Sequence, residues 1–186
     1  MWLVGSLPLI NQGFLDENIR QFVLKLNAIT YNSDSNENAF EDTSSNRTNT
    51  HILLRIGYEF DNPFNYYDPY EYKESFRRIV NMIKKEKSKS LRVSFVWHSY
   101  GDAPAHSMKA ADWYPGDDYV DICSVSIFQQ PFQCHNAFKC NMKYIDDLFH
   151  FCKNVQHKPL MIGESSPFGG IVDSDNDDDG RLREIV

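Results

Sequence analysis

The sequence predicts an α/β fold built on a largely parallel sheet, on three observations. Short apolar runs alternate with amphipathic helical segments along the chain. The apolar runs show little polar alternation, which suggests strands covered on both faces. The stretch after the first run, "VGSLPLINQG", lacks the glycine spacing of a dinucleotide-binding turn. A doubly wound sheet and a (β/α)8 barrel both fit this order. The barrel adds an expectation, that functional residues sit at the C-terminal ends of several strands.

The elements follow in order. "MWLVG" reads as a strand, and "DENIRQFVLKLNA" as a helix with Ile19, Phe22, Val23 and Leu26 on its apolar stripe. Tyr31 to Thr50 is polar and without periodicity, so a surface insertion is expected there. It contains a glycosylation sequon at Asn46. His51 to Gly57 is the next strand. In "DPYEYKESFRRIVNMIKK", Asp68 is the expected N-cap, Pro69 the first helical residue and Glu71 the returning acid of a capping box. Tyr72, Phe76, Ile79, Val80 and Ile83 form its buried stripe. Strands are expected at Leu91–Trp97, Tyr119–Phe128 and Lys158–Gly163. A helix over "MKYIDDLFHFCKN" carries Ile145, Leu148, Phe149 and Cys152 on one side. Between Trp97 and Tyr119 the pattern is broken, and a long loop with one short helical piece is expected.

Composition narrows the function classes. The 186 residues suffice for one domain with a sizeable core, and 41% are hydrophobic. The net charge of −7 argues against a nucleic-acid partner, which wants a basic face. No apolar run approaches the ~18 residues of a membrane helix, so no membrane partner is expected. The apolar N-terminus has no basic residue before it and no cleavage site, so it reads as a strand and not as a signal peptide. Of four cysteines, Cys134 and Cys140 flank a short loop and would either close a small disulfide or remain thiols. Cys123 and Cys152 read as buried free thiols. No metal or other cofactor is expected. His98, His106 and His135 lack ligand spacing, and the acidic run with Asp175, Asp177 and Asp179 ends at Val186 where a calcium loop needs a glutamate.

Two strand ends carry a glutamate. Glu59 follows "ILLRIGY" and Glu164 follows "KPLMIG". A carboxylate placed there for solubility alone is costly, because partial burial penalises its charge. Glycoside hydrolysis needs such a pair: an acid to protonate the leaving oxygen and a carboxylate to attack or to activate water. A retaining enzyme holds them about 5–5.5 Å apart. Trp97 and Trp113 could present an aromatic face to a sugar ring, with core packing as the alternative for each.

The segments "LLRIGYEFDNPFNYYDPYEYKESFRRIV", "VSFVWHS", "DWYPGDDYVDICSVS" and "KPLMIGESSP" occur in an order and spacing that resembles the family 26 glycoside hydrolases. The resemblance spans roughly Ile52 to Pro167. It implies a retaining (β/α)8-barrel β-glycanase related to the mannanases, acting on a β-mannan or β-glucan type of polysaccharide. By the same resemblance Glu59 is the acid/base after the fourth strand and Glu164 the nucleophile after the seventh. Arg55 lines the barrel floor near the nucleophile, and Trp97 ends the fifth strand. From its own position at that strand end, His98 is a further substrate contact or a surface residue. Two positions depart from the mannanase pattern. Tyr58 replaces a histidine before the acid/base, and Ile127 or Phe128 stands where a tyrosine usually bonds the nucleophile. Gln129 is the nearby side chain able to donate in its place. Under this mapping the chain holds roughly strands three to seven, as a partial barrel over residues 1–172 with the 31–50 insertion, followed by an acidic tail at 173–186. The family favours an extracellular location. A non-catalytic carbohydrate-binding relative or a degenerate barrel fragment is the alternative. A serine hydrolase at "GESSP" is disfavoured, because Pro167 occupies the last glycine position of a nucleophile elbow.

Overall fold

The computed structural model describes residues 6–34, 51–101, 109–128 and 137–166. The expected strand at Met1–Gly5, most of the 31–50 insertion, Gln129, His106, Cys134, His135 and the 173–186 tail lie outside the described residues.

The chain enters through a short helix, α1 (Leu7–Asn11), that the sequence did not announce. Helix α2 (Asp16–Asp34) runs past Ala28 into the polar stretch. Then follow β1 (His51–Arg55), α3 (Pro69–Glu86), β2 (Arg92–Ser99), the four-residue α4 (Ala110–Trp113), β3 (Ile122–Phe128), α5 (Ala137–His150) with a π-helical continuation over Phe151–Val155, and β4 (Leu160–Ser166). The capping box is present in part as expected: the Asp68 carboxylate accepts from the Glu71 N–H at 3.0 Å, which fixes where α3 begins.

The four described strands are parallel throughout and lie in the order β1-β2-β3-β4. A doubly wound sheet reverses its strand order at a switch point, whereas a (β/α) barrel adds each strand beside the last. The order seen is that of a barrel sector, and the doubly wound alternative falls away.

Each face of the sheet has its own job. Phe95, Trp97, Cys123 and Val125 pack outward against Tyr72, Phe76, Val80 and Ile83 of α3 and against Ile145 and Leu148 of α5. The opposite face, the inner one in a barrel, carries Arg55, His98, Ser124, Ser126 and Glu164, joined by polar contacts. The expectation of strands apolar on both faces therefore holds only for the outer one. Cys123 and Cys152 are buried free thiols of the core. Among the described residues no helix is long and apolar enough to cross a membrane.

Candidate active site

Strand β1 delivers Glu59 through a tight turn. Gly57 sits at φ +66°, where a Cβ would lie 2.5 Å from Tyr72 Cε2, so the turn requires glycine. Tyr72 closes this turn by donating its hydroxyl to the Ile56 carbonyl at 3.1 Å. Glu59 itself has φ +45°, an uncommon conformation for a residue with a side chain. Strain of that kind costs about 1–3 kcal/mol and persists only where the surroundings over-determine it. They do so here. Asn65 Nδ2 donates to both the Tyr58 and Glu59 carbonyls at 2.7 and 2.9 Å, and the Phe60 N–H donates to the His98 carbonyl at 3.1 Å.

The Glu59 carboxylate is 2% exposed and receives two donors. Asn62 Nδ2 meets Oε2 at 2.8 Å, and Ser126 Oγ meets Oε1 at 3.0 Å. Asn62 is held in turn, because its Oδ1 accepts the Phe64 N–H at 2.9 Å and caps a 3-10 turn over Pro63–Asn65.

Glu164 reaches the same face through a bulge. Val125 pairs with Ile162 and Ser126 with Glu164, which leaves Gly163 as the extra residue on β4. Strand side chains alternate faces, so one added residue re-aims every side chain after it. A Cβ on Gly163 would lie 2.6 Å from both His98 Cε1 and Ser124 Oγ, so the bulge depends on glycine. Glu164 Oε1 pairs with Arg55 Nη1 at 2.6 Å, and Oε2 accepts from the Tyr58 hydroxyl at 3.2 Å.

His98 joins the two carboxylates. Its Nε2 lies 3.2 Å from Arg55 Nη1 and 3.0 Å from Ser126 Oγ, and its Nδ1 lies 2.8 Å from Ser124 Oγ. The ring has no exposed surface. Burial first, and the Arg55 charge second, push its pKa down to about 4, so it is neutral at physiological pH. Tyr58 lies beside both acids. Desolvation, then the charges of Glu59 and Glu164, push its phenol up to about 12, so it remains a donor. Its ring also packs under the Arg55 guanidinium, 5.1 Å from Cζ to centroid.

Three sequence-predicted binding residues stand differently from expectation. Trp97 is fully buried, stacked on Phe60 at 4.3 Å and edge-on to Tyr114 at 5.2 Å. Alternation along β2 puts Trp97 and His98 on opposite faces, and the tryptophan takes the helix side. Trp113 is also in the core, against Phe60 and Tyr72. Neither indole offers a face to a sugar. His98 belongs to the site, but as a buried link and not as a substrate contact. Among the exposed aromatic rings, Phe64 at 71% and Tyr66 at 81% lie on the loop after Glu59. Ser126, Asn62 and Asn65 were missed. The two serines at period two in the apolar run "ICSVSIF" were the available signal for Ser126.

A sector of parallel barrel with polar and acidic side chains gathered at the C-terminal ends of its strands has them where (β/α)-barrel enzymes place their active sites. The chain belongs to glycosyl hydrolase family 26, whose model matches residues 62–165. It is 31% identical over 116 residues to a β-1,3-xylanase of a Vibrio species and 30% identical over 116 residues to a β-1,3-xylanase of an Alcaligenes species. Each match takes in 62% of this chain and 23% of the relative, so the chain spans less than a quarter of those proteins. The fold is similar to that of a family 26 β-mannanase from Bacteroides ovatus, with a TM-score of 0.56 and 12% identity over 91% of this chain and 50% of that one.

Proposed function

We propose that this chain carries the two catalytic carboxylates of a retaining glycoside hydrolase that cuts β-linked polysaccharide. The observation that carries the reading is the shared network: Glu59 and Glu164 are joined on one sheet face through Ser126, His98 and Arg55. In the first step Glu164 attacks the anomeric carbon while Glu59 gives its proton to the departing glycosidic oxygen. Arg55 and Tyr58 hold the Glu164 carboxylate in place for that attack. In the second step Glu59 takes a proton from water, which displaces Glu164 and releases a sugar of unchanged anomeric configuration.

The substrate class follows from the relatives and the two departures noted in the sequence. Both curated relatives are described as β-1,3-xylanases. Tyr58, not histidine, precedes Glu59, and it supplies the hydroxyl on Glu164 that mannanases draw from the sixth strand. β-1,3-Xylan is therefore the first substrate, with β-mannan and β-glucan as comparisons. The exposure of Phe64 and Tyr66, a few residues after Glu59 in the chain, supports a role for them as sugar-binding rings.

The test is reducing-end release from the three polysaccharides by the full chain and by its Glu59→Gln and Glu164→Gln variants. Release from β-1,3-xylan that each variant lowers by at least about 1000-fold is expected, since each carboxylate acts in the transition state. Binding of the polymer without turnover, equal in wild type and Glu164→Gln, would replace the reading with that of a non-catalytic carbohydrate-binding relative.

A further inference from the structure

The acid/base reading demands something unusual of Glu59. The group is buried, and it must be satisfied both as a carboxylic acid and as a carboxylate. Besides the Tyr58 hydroxyl, which also lies against Glu59, its partners Asn62 and Ser126 differ in this respect. Asn62 cannot reverse, because its amide oxygen is committed to the Phe64 N–H and its nitrogen can only donate. It can therefore donate to Oε2 in either state, but it cannot accept the proton of the acid.

Ser126 can reverse, and the protons around His98 show why. Arg55 has donors only, so its approach to His98 Nε2 requires a lone pair on that nitrogen. The neutral ring then carries its proton on Nδ1 and donates it to Ser124 Oγ. Ser126 Oγ stands 3.0 Å from Glu59 Oε1 and 3.0 Å from the unprotonated Nε2. With Glu59 ionised, Ser126 gives its proton to the carboxylate and Arg55 faces Nε2. With Glu59 protonated, the acid donates to Ser126 Oγ, and the serine proton rotates to Nε2. Arg55 then leans wholly on Glu164.

We infer that Ser126 and His98 form a reversible hydrogen-bond partner for Glu59, donating to its carboxylate and accepting from its acid, so that both states of the catalytic cycle are satisfied in a buried site. This rests on the reading of Glu59 as the acid/base. Both are positioning residues, since neither side chain has surface for substrate. No proton leaves the relay: Glu59 loses one to the leaving oxygen and regains one from water, and the serine proton only changes direction. The other charged or titratable groups facing this relay are Arg55 on β1, Tyr58 on the loop after it and Glu164 on β4.

The experiment is long-range proton–nitrogen NMR on the full chain with nitrogen-15 histidine, in wild type, Glu59→Gln and Ser126→Ala. His98 is expected as the neutral Nδ1–H form at neutral pH. Its Nε2 resonance should move with pH while the ring stays neutral, and that movement should vanish in both variants. An Nε2–H tautomer in the wild type would overturn the relay, and that arm needs no variant to fold. So would movement of Nε2 that persists in Ser126→Ala. A second arm reads activity. Ser126→Ala should lower kcat about 10-fold with KM little changed, the size of one hydrogen bond in the transition state, and Ser126→Thr should restore it. A loss that Thr does not restore, or a loss in KM alone, counts against it. If Glu59→Gln leaves hydrolysis unchanged, the acid/base reading fails, while the NMR result, which uses no substrate, still decides the relay.

Discussion

Gly163→Ala is the smallest change that reaches the site. The new methyl would stand 2.6 Å from His98 Cε1, 2.6 Å from Ser124 Oγ and 2.8 Å from His98 Nδ1. Carbon atoms pack comfortably at about 3.5–4.0 Å, so close to 1 Å of movement is required. None of these neighbours is free to move. The His98 ring has no exposed surface and polar contacts to Arg55, Ser124 and Ser126, and Ser124 is buried beside it. Overpacking of this kind costs about 1–3 kcal/mol, and losing the buried His98–Ser124 hydrogen bond adds about 1 kcal/mol. A total of about 2–4 kcal/mol should lower Tm by roughly 5–15 °C for a chain of this size. Urea and thermal denaturation of Gly163→Ala beside wild type measure it. Hydrolysis should fall in the folded variant as well, because the bulge that aims Glu164 is displaced. A stability change within about 0.5 kcal/mol, with activity intact, would refute the claim that the bulge is held by glycine against His98.

Other outcomes follow from the same contacts. The His98 pKa falls from its ordinary 6.5 to about 4 on folding, so the stability it contributes is fully present above pH 6.5 and is lost as pH falls through about 4. That window is worth about 3 kcal/mol, and His98→Gln should flatten the pH dependence of urea stability across it. Tyr58→Phe removes the 3.2 Å hydroxyl contact to Glu164 and should lower kcat roughly 3- to 10-fold without changing the fold, as circular dichroism and steady-state kinetics would show. Trp97→Phe should cost stability, and KM should stay within about 2-fold, because the indole packs on Phe60 and touches no substrate. A KM rise of 10-fold in the folded variant would return Trp97 to the binding surface.

The outer half of the fold was legible because apolar periodicity records burial. The α3 stripe of Tyr72, Phe76, Val80 and Ile83 is buried as read, and Asp68 caps where its side chain and Pro69 said it would. The two glutamates stood out because a carboxylate after an apolar strand is costly. What stayed hidden depends on facing. Trp97 and His98 are adjacent in sequence, and only the register of β2 decides which enters the core. The face of Glu164 depends on the bulge at Gly163, which simple alternation misplaces by one residue. The period-two serines of "ICSVSIF" marked Ser126 as inward-facing but named no partner, and Asn62 left no trace, because hydrogen bonds across strands and within turns are not written in any local pattern. Helix α1 is too short to set a pattern, and its Pro8 reads equally well as a turn.

The most direct test is the anomeric configuration of the first product. Hydrolysis of a β-1,3-xylo-oligosaccharide, followed by proton NMR within the first minutes, reports it before mutarotation. A paired Glu59 and Glu164 acting by double displacement release the β-anomer first. The α-anomer first would mean a single displacement by water, and Glu164 would then not be the nucleophile.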